Sequence, residues 1–150
     1  MNSFSIAPPG SLVLGLGCER GTPADEVIAL AQVALARAGA RRDDIGYVAS
    51  LDARRDEPAI HAAAKHFAAE ARFFDAATLE AEAARLETPS AIVFAHTGCH
   101  GVAEGAALVG AGPDSVLLVA KITSSHATAA IAGPGERRLV GEPAKMAVAP

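Results

Sequence analysis

The sequence predicts an α/β fold: a single-domain three-layer sandwich with a mostly parallel sheet, helices on both faces and a C-terminal β-hairpin. Strand-length apolar runs alternate with segments of helical periodicity, which is typical of a parallel sheet. Of the 150 residues, 51% are hydrophobic but only 4% are aromatic. Ala, Val, Ile and Leu must therefore fill the core, which favours close packing of helices on the sheet.

The first half of the chain alternates three predicted strands with two helices. The first strand leads into a helix with Thr22 as the expected N-cap, Pro23 at the first helical position and Gly39 as the stop. The strands are expected at residues 12–17, 45–51 and 71–74, and the helices at residues 23–38 and 56–68.

In the second half, Asp75 is expected to cap a helix over residues 76–87. The apolar run SAIVFA predicts a fourth, buried strand, and a helix and a β-hairpin follow it. These three elements are expected at residues 90–95, 102–111 and 115–132. We expect residues 1–11 to be an N-terminal extension, residues 12–132 the domain, and residues 133–150, rich in Gly, Pro and charge, a loose tail.

Charge and cysteine content exclude several classes of protein. Thirteen basic and seventeen acidic residues give a net charge of −4, which argues against nucleic acid or an anionic membrane as partner but not against a small anion held by local arginines. Two distant cysteines, Cys18 and Cys99, do not form a secreted disulfide scaffold. No apolar run approaches the ~20 residues of a membrane span. The N-terminus lacks the basic start of an export signal, so a cytoplasmic location is expected.

Polar segments follow the predicted strands. GCERGT follows the first, DARRDE the second and HTGCHG the fourth, while TSSHAT joins the last two. Ligands of open α/β sheets bind outside the carboxyl ends of the strands, so a site is expected at that edge.

A dinucleotide-binding loop is disfavoured at this edge, because Arg20 occupies the position where the dinucleotide fingerprint needs its third glycine. Carboxylates at the start of the helix would also repel a pyrophosphate.

Three clusters leave alternatives open. His96, Cys99 and His100 are of metal-ligand type, with His126 as a further donor, but the spacing is too compact for a closed structural site. A turn without metal is favoured, with Cys99 buried as a small apolar residue rather than acting as a nucleophile.

The segment DARRDE combines acids and cations. Asp52 and Glu57 flank Arg54 and Arg55. This arrangement suits the binding of a carboxylate ligand with a proton-transferring acid nearby, and it equally suits a solvated turn whose charges neutralise one another.

Glu104 lies among small apolar residues, where its carboxyl group needs a partner or a raised pKa. It is either a first-turn acid serving the helix dipole or a functional residue, and Lys121 is a candidate partner.

Four segments taken together, GLGCERGT, LDARRDE, GVAEGAAL and TAAIAGP, resemble the CobE/CbiG carboxyl-terminal domain family of cobalamin biosynthesis. The resemblance covers roughly residues 12–132. The first motif is matched by the three glycines and Cys18 of GLGCERG. The second is matched by Asp52 and Glu57, with Arg54 in place of the family's lysine, and the third by GVAE, residues 101–104.

The resemblance implies that the chain binds a precorrin or corrin intermediate of vitamin B12 synthesis. The expected role is that of a carrier or accessory factor in the oxygen-dependent route, with other pathway enzymes as partners and without a cofactor or metal of its own. The alternative is an enzyme that hydrolyses or rearranges a precorrin, as full-length CbiG proteins open a lactone and release acetaldehyde. For that alternative, the candidate catalytic residues are Glu104, Glu57 and Asp52.

The expected ligand has many carboxylates around a large flat ring. Arginines and lysine at the strand ends would bind the carboxylates, and glycines such as Gly17 and Gly101 would let the ring approach the backbone. The candidate binding residues are Gly17, Cys18, Arg20, Gly21, Asp52, Arg54, Gly101, Glu104, Lys121 and Thr128.

Overall fold

The computed structural model describes residues 9–135. Its strands are β1 (Leu12–Cys18), β2 (Ile45–Leu51), β3 (Glu70–Phe74), β4 (Ser115–Thr123) and β5 (Ala127–Pro134). Its helices are α1 (Ala24–Ala38), α2 (Pro58–His66), α3 (Ala76–Glu80), α4 (Ala91–Thr97) and α5 (Val102–Ala111). Short 3₁₀ turns occupy Arg42–Asp44, Asp52–Arg54 and Ala83–Arg85.

The strands form one mixed sheet in the order β3-β2-β1-β5-β4. β1 pairs in parallel with β2, and β2 with β3, whereas β5 runs antiparallel to both β1 and β4. Four strands therefore point one way and β5 the other. The predicted mostly parallel sheet and its C-terminal hairpin are confirmed.

Helices cover both faces of the sheet because β1 alternates its side chains between two cores. Leu12, Leu14 and Leu16 pack with α1 and α2, while Val13 packs with α5 on the opposite face. On that second face a methyl group at Gly15 would lie 2.0 Å from the carbonyl oxygen of Ala103. Backbone of β1 and backbone of α5 thus touch directly, and the predicted three-layer sandwich is confirmed.

One predicted element was wrong in kind. Residues 90–95, predicted as a buried strand, form most of the helix α4, which contains no buried residue. The Ser90 hydroxyl caps this helix by accepting a hydrogen bond from the amide of Val93 at 3.2 Å, and Gly98 ends it at φ 85°. Local capping therefore decides the conformation of a run whose composition fits a strand equally well.

Two smaller predictions were also wrong. Pro23, not Thr22, occupies the N-cap position of α1, and the Thr22 hydroxyl donates to the carbonyl oxygen of Glu19 at 2.6 Å. The helix expected over residues 76–87 ends at Glu80 and is followed by a 3₁₀ turn.

The predicted helix cap at Asp75 and the predicted helix end at Gly39 are confirmed. Of the expected tail, residues 133 and 134 belong to β5, and residues 136–150 lie outside the described part, as do residues 1–8.

No single helix within residues 9–135 is long and apolar enough to cross a membrane. The pair α4 and α5 passes that test only jointly, across a bend of 76°.

Candidate functional site

The polar segments after β1 and β2 meet at the carboxyl edge of the sheet, because these two strands are parallel neighbours. Nε of Arg54 donates to the carbonyl oxygen of Cys18 at 2.6 Å. The buried Glu57 accepts the amide of Gly21 at 3.2 Å. Two hydrogen bonds thus join GCERGT to DARRDE, as the sequence predicted for that edge.

The arginine side chains at this edge differ in their contacts and in their exposure to solvent. Arg55 forms an ion pair with Asp52, and its guanidinium lies 6.0 Å from the centroid of the Phe73 ring. Arg54 is half-buried and anchored through Nε, whereas Arg20 is exposed in the loop between β1 and α1. Arg20 and Arg54 are therefore the cations best placed to meet an external anion.

The turn between β4 and β5 reaches the same edge and is held by Glu26 of α1. The Glu26 carboxylate accepts hydrogen bonds from the Ser124 hydroxyl, from the His126 amide at 2.7 Å and from His126 Nδ1 at 3.0 Å. The Ser124 hydroxyl and then His126 lower the pKa of Glu26 to about 2, and Glu26 in turn raises the pKa of His126. Sequence spacing does not reveal this cluster, because Glu26 is about a hundred positions away from Ser124 and His126.

The amino end of α5 also lies at this edge. Val102 lies beside Gly17, and Gly110 beside Val13, so α5 runs antiparallel to β1. A methyl group at Gly17 would lie 2.7 Å from Oγ1 of Thr128 and 3.2 Å from Cγ1 of Val102. One at Gly101 would lie 3.2 Å from Leu86. At both glycines the nearest space is filled by protein side chains rather than left open for a ring.

Glu104, in the first turn of α5, is only 2% exposed and accepts four hydrogen bonds. Its donors are the Glu87 amide at 2.8 Å, the Thr88 amide at 3.0 Å, the Thr88 hydroxyl at 2.8 Å and the Lys121 amide at 2.8 Å. Burial raises the pKa of this carboxyl, but the hydrogen bonds from Lys121, Thr88 and Glu87 outweigh burial and leave the pKa below its ordinary value. The expected partner Lys121 thus contributes its backbone amide.

The two cysteines and the HTGCH turn have separate environments. Cys18 is half-buried, and burial followed by the nearby Glu57 carboxylate raises the pKa of its thiol. Cys99 is fully buried, and His100 binds Glu80 through Nδ1 at 2.7 Å. The segment HTGCH comprises the last two residues of α4 and the loop towards α5, so it does not follow a strand. Within the described residues, no group of three or more His, Cys, Asp and Glu side chains is placed to hold a metal ion.

Residues 12–132 match the protein family described as "Cobalamin synthesis G C-terminus". The chain belongs to this cobalamin-synthesis family. A protein CobE from Sinorhizobium sp. is 72% identical over 127 residues, which cover 85% of the chain and 82% of that relative. A cobalt-precorrin-5A hydrolase from Priestia megaterium is 29% identical over 124 residues, and the matched region spans only 32% of its length.

Solved structures of the family share the fold. A crystal structure of CobE, described as a protein of the vitamin B12 biosynthetic pathway, superposes with a TM-score of 0.75 at 35% identity, covering 88% of the chain and 96% of that structure. The cobalamin biosynthesis protein chiG of Agrobacterium tumefaciens gives a TM-score of 0.63 at 30% identity, covering 83% of the chain and 98% of that structure.

Proposed function

We propose that the chain binds a precorrin or corrin intermediate at the carboxyl edge of β1 and β2, as a carrier or accessory factor of the oxygen-dependent cobalamin route. Membership of the cobalamin-synthesis family and similarity to CobE support the pathway. The observation that carries the site is the joining of GCERGT and DARRDE, which places Arg20 and Arg54 at one edge of an otherwise acidic chain. Guanidinium groups suit the peripheral carboxylates of such a ligand.

A hydrolase is the second candidate, favoured by the similarity to a cobalt-precorrin-5A hydrolase. The contacts of the three candidate catalytic acids favour the carrier over the hydrolase. Glu104 accepts four internal hydrogen bonds, Glu57 binds the Gly21 amide, and Asp52 is paired with Arg55. A general acid–base group has to exchange its proton with the substrate, and each of these carboxylates is already engaged within the protein.

The test is an anaerobic titration of the protein with biosynthetic precorrin intermediates, followed by visible absorbance and by mass spectrometry of the ligand. The expected result is a saturable spectral shift with unchanged ligand mass. A mass change that turns over with substoichiometric protein supports the hydrolase instead. Absence of any response to all intermediates contradicts binding in either form.

The location of the site is tested by two arginine variants that change net charge equally. Arg20→Gln removes the exposed cation of the carboxyl edge, whereas Arg37→Gln removes an exposed cation from the last turn of α1 at the opposite edge. We expect Arg20→Gln to weaken binding about tenfold, and Arg37→Gln less than about twofold, because only the first contacts a ligand carboxylate. Equal effects in the titration would mean that long-range charge, not this edge, holds the ligand.

A further inference from the structure

His126 lies close to the two arginines assigned to the ligand, on the β5 side of the end of β1. One peptide group, between Cys18 and Glu19, connects it with Arg54. The carbonyl oxygen of this group accepts Nε of Arg54 at 2.6 Å, and its amide donates to the His126 carbonyl oxygen at 3.0 Å. Arg20 is the next residue of the same loop. A tetrapyrrole over the end of β1 therefore lies within reach of all three side chains.

The imidazole ring of His126 is oriented by Glu26 of α1. The Glu26 carboxylate accepts Nδ1 of the ring at 3.0 Å, and it also accepts the His126 amide at 2.7 Å and the Ser124 hydroxyl. Among residues 9–135, Glu26 is the hydrogen-bond partner of the ring, and it occupies Nδ1 alone. Because the His126 side chain is 51% exposed, Nε2 is left for a ligand.

The contact with Glu26 determines what Nε2 can bind. A carboxylate only accepts hydrogen bonds, so Nδ1 carries a proton in both charge states of the ring. In the charged ring, Nε2 also carries a proton and can donate it to a ligand carboxylate. In the neutral ring, Nε2 presents a lone pair, which cannot bind a carboxylate. Gain or loss of one proton therefore turns this contact on or off.

Two carboxylates act on the charge of the His126 ring. The hydrogen bond and the charge of Glu26 raise the pKa of His126, burial opposes this, and Glu19 in the loop after β1 raises the pKa further. The nearby thiol of Cys18 does not titrate in the same range, because burial and then Glu57 raise its pKa above 9.0. The ring is therefore charged below about pH 6.5 and loses its charge as pH rises through the raised value.

We propose that His126 is a ligand-binding residue of the carboxyl edge, whose Nε2–H donates to a peripheral carboxylate of the tetrapyrrole beside those held by Arg20 and Arg54. Glu26 is the positioning residue that orients the ring. This inference rests on the proposed function and adds a third, pH-dependent contact to the site. The chain accordingly binds its ligand more tightly when His126 is charged than when it is neutral.

The probe is uroporphyrin, a tetrapyrrole whose carboxylate side chains stay ionised at about pH 6 and at about pH 9. It is titrated at both values while its main absorption band is followed. The parent chain is expected to bind it about tenfold more tightly at about pH 6. His126→Asn, whose amide can still donate to Glu26, should lose this tenfold at the lower pH and match the parent at the higher.

His126→Lys tests whether the charge itself is responsible. A lysine is a cation at both pH values, so this variant should bind with similar affinity at about pH 6 and about pH 9. Circular dichroism at both values checks that each variant is folded. Should His126→Asn fail to fold, the pH profiles of the parent and of His126→Lys still decide between the outcomes.

The matched control is His61→Asn. His61 is also an exposed histidine of the carboxyl edge, where its Nε2 lies 2.6 Å from the carbonyl oxygen of Arg55. This variant should keep the pH dependence of the parent. Glu26→Gln tests the positioning role, because removing the carboxylate that raises the pKa of His126 should move the fall in affinity to lower pH. A merely structural role of Glu26 would weaken binding without moving this midpoint.

Several outcomes overturn the inference. If the parent binds uroporphyrin equally at both pH values, or if the pH dependence persists in His126→Asn or disappears in His61→Asn, His126 does not hold a carboxylate. If precorrin intermediates bind but uroporphyrin does not, recognition of carboxylates by His126 is refuted. In each of these cases the proposed function stands as long as precorrins bind. If neither class of ligand binds, both proposals fall together.

Discussion

At the scale of single residues, Glu104 shows how environment decides the chemistry of a carboxylate. The sequence marked it as anomalous among small apolar neighbours, and the structure explains how it is tolerated there, through four donors from two separate segments. Its contacts tie β4 and the segment before α4 to the first turn of α5. The sequence identified the residue and one partner, Lys121, but not that Lys121 donates through its backbone amide, nor the donors of Glu87 and Thr88, because hydrogen bonds from backbone amides leave no trace in residue type.

Replacing Glu104 by glutamine is expected to lower the free energy of unfolding by about 2–3 kcal/mol, because a neutral amide accepts these hydrogen bonds less strongly and brings two donors of its own. Urea denaturation measures the loss. The matched control is Glu87→Gln, the same change on an exposed side chain nearby, for which less than about 0.5 kcal/mol is expected. Equal losses in the two variants would contradict the assigned role of the Glu104 carboxylate.

At the scale of elements, the contact of the β4–β5 turn with α1 should depend on pH. The folded state raises the pKa of His126 above its ordinary 6.5, so the stabilisation from its charged form is complete below about pH 6.5 and is lost as pH rises through the folded value. Glu26 behaves in the opposite sense: its contribution is present above about 4.5 and is lost as pH falls towards about 2. The ion pair is therefore complete only between these limits.

His126→Asn is expected to destabilise the protein more at about pH 5.5 than at about pH 9, as measured by urea denaturation at both values. His96→Asn is the control, because His96 is also exposed but lies on α4, away from Glu26. The expected result is a larger difference between the two pH values for His126→Asn than for this control. A destabilisation by His126→Asn that does not vary with pH would show that the charged pair adds nothing to the neutral hydrogen bond.

The strands and helices also differ in how well the sequence predicts them. The five strands and the helices α1, α2 and α5 were predictable because periodicity reflects the face that each element buries. The strand predicted for SAIVFA was wrong because apolar composition does not by itself imply burial, and the helix α4 that forms there is capped by Ser90 and contains no buried residue. For the site, strand ends predicted the joining of GCERGT and DARRDE. The Glu26 cluster could not be predicted, because sheet order, not sequence spacing, brings its residues together.

At the scale of the whole molecule, the three layers are held at a separation that small residues set. Gly15 faces Ala103 and Ala107 of α5, and Gly110 faces Val13 of β1, so helix and strand approach each other backbone to backbone. This contact also determines where the amino end of α5 lies relative to the carboxyl edge. Separation of the layers and geometry of the proposed site are thus coupled through β1 and α5.

Gly15→Ala tests this coupling. Its added methyl group would lie 2.0 Å from the carbonyl oxygen of Ala103 and 2.8 Å from the amide nitrogen of Ala107, so α5 has to move off the sheet. We expect a loss of about 3 kcal/mol in the free energy of unfolding, measured with urea.

The control is Gly105→Ala on α5 itself, where the atoms nearest to the added methyl group are 3.4 Å away. That change should be neutral or stabilise by up to about 1 kcal/mol through helix propensity. A Gly15→Ala variant as stable as the parent would mean that the layers shift freely and that this contact does not set their separation.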